Sequence, residues 1–110
     1  MAFRLTQKPT FKVEVVVPVP NDKGGHDKNK FVAVFKRTTT DEARAFFEAQ
    51  TTNEDLVRDR MVDWELTDAE TNEAVPFTRE NLEALLQIAP SPRFIAEKFF
   101  EQVGGGKART

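Results

Sequence analysis

Apolar and polar side chains alternate from Phe11 to Val19. Phe11, Val13, Val15, Val17 and Val19 fall on one face, Lys12 and Glu14 on the other, which is the period of a half-buried strand. Pro18 cannot donate to a ladder and marks an edge or a terminus. Phe31, Ala33 and Phe35 repeat the pattern, so residues 31–37 predict a return strand and the pair a long antiparallel hairpin. The intervening PNDKGGHDKNK, residues 20–30, has no apolar residue besides its proline and contains Gly24-Gly25, which predicts a mobile loop. Residues 1–10 fit either an ordered edge or a frayed arm.

The period then becomes helical. Thr39-Thr40-Asp41-Glu42 has capping-box spacing, with Thr39 as N-cap and Glu42 at N3. Ala43, Phe46, Phe47 and Gln50 follow at helical spacing. Thr51-Thr52-Asn53-Glu54 repeats the signal and opens a short helix through Leu56 and Val57. In VDWEL, alternation places Val62, Trp64 and Leu66 on one face of a strand. The polar run TDAETNE then turns the chain back to Ala74 and Val75, giving a small second hairpin. With Thr78 as N-cap, Phe77 at N′ and Leu82 at N4 form a hydrophobic staple, and Asn81 occupies N3. In Pro90-Ser91-Pro92, Ser91 reads as N-cap and Pro92 as N1 of a last helix. Ile95, Phe99 and Val103 form its apolar stripe, Ala96 and Phe100 widen it, and Gly104-Gly105-Gly106 stops it. The expectation is an α+β fold: an N-terminal antiparallel β-hairpin, a short second hairpin and about four α-helices. They form one small domain over residues 1–103, with a flexible tail over 104–110. Trp64 and Phe77 are assigned to the core.

Composition sets the scale. A chain of 110 residues with 39% hydrophobic residues, ten of them Phe, supports one core. The absence of cysteine excludes disulfides and thiolate metal sites and fits a reducing cytosol. No run approaches the ~18 apolar residues of a membrane span, and MAFRLTQKPT has no signal-peptide core. A cytoplasmic protein without a membrane partner is expected. The net charge of −2 is unevenly spread. Residues 1–40 carry eight Lys/Arg against three Asp/Glu, and residues 41–80 carry four against twelve. Such a basic front and acidic middle fit either a solvated acidic helix face or electrostatic attraction, to a second copy or to a charged protein.

Catalytic constellations are sparse. His26, the only histidine, sits near Asp22 and Asp27 without a fixed fourth ligand, so no metal or other cofactor is expected. Ser91, the only serine, is explained as a helix cap. Gly24-Gly25 lacks a following helix start and is no phosphate loop. Carboxylate pairs such as Asp63 with Glu65 fall in an acidic, solvent-facing segment rather than a cleft. An enzyme is therefore not expected. Lys12, Lys23, Lys28, Lys30, Lys36 and Arg37 make the first hairpin basic, as a phosphate-backbone binder requires. No aromatic interleaves the lysines at the loop, and strand lysines also guard against edge pairing. Nucleic acid is thus a minor alternative. In Phe46-Phe47 and Phe99-Phe100, adjacent rings point about 100° apart, so one ring of each pair can enter the core while the other stays at its margin.

The run DLVRDRMVDWEL, the turn TDAETNE, the block VPFTRENLEALLQI and the terminal helix PRFIAEKFFEQV, in that order, resemble the tail assembly chaperones of long-tailed bacteriophages. The resemblance covers about residues 39–103 and, more loosely, the hairpin before them. It implies a non-catalytic protein that binds the tape-measure protein, keeps it soluble and assists tail-tube assembly. It also implies two products from one message by frameshifting, and a Gly106-Lys107 dipeptide can be encoded by a slippery run. Partner contacts are expected from the outer rings of Phe46, Phe47, Phe99 and Phe100, with Leu82, Leu85 and Leu86 as helix support. The alternative is a structural tail-tube or head–tail connector subunit, whose strands pair between subunits.

Overall fold

A computed structural model describes residues 2–104. Two 11-residue strands, β1 (Thr10–Pro20) and β2 (His26–Lys36), pair antiparallel along their whole length. Helices α1 (Thr40–Glu48) and α2 (Asn53–Arg60) lead into a short strand β3 (Met61–Glu65), and α3 (Arg79–Leu86) and α4 (Ser91–Val103) close the domain. The sheet order is β1-β2-β3, all antiparallel. The fold class is thus the α+β one expected. The tail expected over 104–110 lies outside the described residues beyond Gly104.

Alternation makes one sheet face apolar, and the helices close on it. Val15, Val17, Phe31, Ala33 and Phe35 join Leu56, Val57, Trp64, Leu82, Leu86, Ile95 and Phe99 in a single core. Full burial of one such side chain is worth roughly 1.5–3 kcal/mol. The other sheet face carries Lys12 and Glu14, and Lys12 reaches Glu65 of β3 at 2.6 Å. That carboxylate, by its hydrogen bond first and its charge second, holds the Lys12 ammonium above the usual lysine value.

Three local expectations need correction. Residues 20–30 are not a mobile loop: the strands run on to Pro20 and His26, leaving only a tight turn. Backbone pairing needs no apolar side chain, and Asn21 shapes the turn. Its Oδ1 accepts from the Lys23 and Gly25 N–H groups, each at 3.0 Å, and Gly24 takes φ +83°. Second, Val62 does not share a face with Trp64. A β-bulge falls where Val34 and Phe35 of β2 oppose Asp63 and Met61, so Met61 and Trp64 point inward while Val62 is exposed. The second hairpin is correspondingly slight, one bridge between Thr67 and Ala74, while β3 pairs with β2. Third, Ser91 is the first helical residue and not the N-cap; Pro90 precedes it without a side-chain cap. The Ser91 hydroxyl is buried and directed at the Leu85 and Ile88 carbonyls at the end of α3.

The remaining caps follow the sequence closely. Thr39 and Glu42 form the capping box reciprocally, and Thr78 accepts from the Asn81 N–H at 3.1 Å. The second helix is capped one residue later than its spacing signals, by Thr52. At Glu42, the Thr39 backbone N–H keeps the carboxyl below its usual value.

Arg58 ties α2 to α3. Its Nε and one terminal nitrogen grip both oxygens of Glu83, at 2.7 and 2.8 Å, while the other terminal nitrogen meets Asp55. The Arg58 hydrogen bonds hold the Glu83 carboxyl below the usual glutamate value. The folded state thus binds this proton more weakly than the unfolded chain. The stability Glu83 contributes is present above the unfolded value and is lost as pH falls through the lower folded one. Urea midpoints measured from pH 3 to 7 should therefore fall less steeply at the acid end in Glu83→Gln than in wild type. Parallel curves would remove Glu83 from the acid response.

Candidate functional site

The residues expected to meet a partner separate into two groups. Phe99 is fully buried, 5.1 Å from the Phe35 ring and 6.3 Å from Phe11. Leu82 and Leu86 are also in the core. These three belong to the interior and not to a contact surface, because α4 turns its apolar stripe toward β1 and α3 packs beside α4. Phe46, Leu85 and Phe100 are half-buried, and Phe47 is 47% exposed. Phe47 lies 4.5 Å from Phe100, which lies 5.4 Å from Phe99, so a continuous aromatic ridge runs from core to surface. Phe46 is turned away from it, under the Arg60 guanidinium at 5.9 Å.

A second feature lies at the other end of the molecule. Two adjoining hollows, about 540 and 400 Å³, share Lys28 as a wall between the end of the hairpin and the α3–α4 corner. The floor is apolar: Val17, Val19 and Phe31 from the sheet, Leu85 from α3 and Ile88 from the corner just past it, with Phe94 and Pro90 beyond them. Ile88 stays 45% exposed. Its position follows from the Ser91 hydroxyl and N–H, both of which bind the Ile88 carbonyl and fold the corner tightly. Lys28 and Lys30 stand on the rim, and neither has an acidic partner within salt-bridge distance among the described residues. Thr67 and Ala69, from the acidic turn after β3, form the facing rim.

Of the residues expected from sequence to form or support the tape-measure contact, only Leu85 lines this groove. Ile88 and Phe94 were missed. Their signal is present: Phe94 lies off the Ile95–Phe99–Val103 stripe, and Ile88 extends the apolar pattern past the last turn of α3. His26 lines the outer hollow from the start of β2 and is exposed. Among the described residues no group of three or more His, Cys, Asp or Glu could hold a metal, and no helix is long and apolar enough to cross a membrane. No family model, curated protein or solved structure matches the chain.

Proposed function

We propose that the protein acts by binding, as a phage tail assembly chaperone that holds a segment of the tape-measure protein during tail assembly. The observation that carries this reading is the open, apolar groove with Lys28 and Lys30 on its rim, neither in an ion pair among the described residues. A helix with an apolar stripe can lay three or four side chains into such a groove, and acidic residues beside the stripe can meet Lys28 and Lys30. Holding that stripe lowers the concentration of exposed apolar surface by mass action. The sequence blocks of the last two helices, which resemble those chaperones, build the α3–α4 corner that forms one wall. The aromatic ridge at Phe47 and Phe100 offers a second apolar contact at the far end.

Co-expression with fragments of the tape-measure protein tests the proposal. A soluble complex is expected. Ile88→Asp should weaken capture at least about ten-fold, since it replaces an apolar contact by a charge, while circular dichroism stays unchanged. Failure of every fragment to form a complex would overturn the reading. The alternative, a tail-tube or connector subunit, is favoured by one observation: among the described residues the backbone of β1 ladders with β2 alone, leaving the outer edge of an 11-residue strand unladdered. Mass spectrometry of purified virions separates the two, because a tube subunit is abundant there and a chaperone is missing.

A further inference from the structure

Phe3 and Leu5 are 83% and 90% exposed, the extremes among the large apolar side chains described. Scattered exposed apolar residues need no explanation, but these two stand on one short arm, at i and i+2, and come to one side when the arm, bent at Leu5 and Thr6, is drawn out as an extended segment. We propose that this arm occupies the groove of a second copy of the chain, reciprocally, in a two-fold dimer.

Reach excludes the arm's own groove. Arg37 pins the start of β1, its N–H on the Pro9 carbonyl at 2.7 Å and its Nε on the Lys8 carbonyl at 3.1 Å. Phe3 is five residues before Lys8 and so reaches at most about 18 Å from it at ~3.6 Å per residue. Val17, the near wall of the groove, is nine residues beyond Lys8 along extended chain, about 30 Å away at ~3.3 Å per residue. The arm and the groove therefore sit at opposite ends of one hairpin. Two copies lying antiparallel place each arm at the other's groove, and the same patch serves both partners, as a closed two-fold contact requires.

Charge agrees with this arrangement. Residues 1–13 contain Arg4, Lys8 and Lys12 and no acid, whereas the turn TDAETNE on the groove's rim contains Asp68, Glu70 and Glu73 and no base. The inference uses the same groove as the chaperone reading but does not depend on the tape-measure protein.

Sedimentation velocity of the full chain over a rising concentration series tests it. Wild type should pass from monomer to dimer. The double variant Phe3→Asp, Leu5→Asp should remain monomeric, as should Ile88→Asp, each with unchanged circular dichroism. An equimolar mixture of the two should recover a heterodimer weaker than the wild-type dimer, because one of its two arm–groove contacts remains intact. That recovery distinguishes a specific contact from general destabilisation. A wild type that stays monomeric, or an arm variant that dimerises like wild type, overturns the inference. The arm variant keeps its groove and should still capture a tape-measure fragment. A wild type that dimerises but captures none overturns the chaperone reading alone.

Discussion

Replacing Phe99 by alanine is expected to remove about 3–5 kcal/mol of stability, the largest loss available from one side chain in α4. The ring is fully buried and touches three others, Phe11, Phe35 and Phe100, at 6.3, 5.1 and 5.4 Å. Truncation therefore leaves a cavity between the sheet and α4 in addition to the lost transfer free energy. Small domains have about 5–15 kcal/mol in total, so the denaturation midpoint should fall by about a fifth or more. Phe47→Ala is the control. Its ring is half in solvent and pairs with Phe100 at 4.5 Å, so the expected loss is about 1 kcal/mol. Urea unfolding followed by circular dichroism measures both. Equal losses would mean that Phe99 is no more a core residue than Phe47.

That contrast shows where sequence reading stops. Adjacent phenylalanines on a helix announce that one ring enters the core and its neighbour stays at the margin, but not which, because the choice depends on where the helix docks. Signals that are local in the chain were legible. The Thr39 box, the Thr78 cap and the alternation of β1 need only near neighbours, and they set the α+β order of elements. Signals that depend on a distant partner were not. The bulge that turns Val62 outward arises only when β3 meets β2, so plain alternation gave the wrong face. Ser91 has the composition of a cap, yet its hydroxyl serves carbonyls of the preceding helix, because the tight corner brings them closer than its own first turn. The groove was invisible for the same reason. Its floor combines Val17, Phe31, Leu85, Ile88 and Phe94, which belong to four elements and share no period. Lys28 and Lys30 read as loop charges until the strands were seen to continue past them.

Trp64 should show the second large effect, and two substitutions there separate packing from hydrogen bonding. The indole is 6% exposed, edge-on to Phe77 at 5.0 Å and to Phe31 at 6.4 Å. Its N–H donates to the Val75 carbonyl at 2.8 Å. That one bond spans the acidic turn, linking β3 to the segment that delivers Phe77 to the start of α3. Trp64→Ala loses ring, contacts and bond together, for about 3–5 kcal/mol. Trp64→Phe keeps much of the apolar area but leaves the Val75 carbonyl without its donor, for about 1–3 kcal/mol. Amide hydrogen exchange adds the local test. The Val75 N–H, bonded to the Leu66 carbonyl at 2.8 Å, should exchange faster in Trp64→Phe by more than the global loss predicts. Because Leu66, Thr67 and Ala69 form a wall of the groove, that loosening should also weaken whatever the groove holds. If Trp64→Phe matches wild type in stability and exchange, water replaces the indole at Val75, and the turn is held by its own bridge between Thr67 and Ala74.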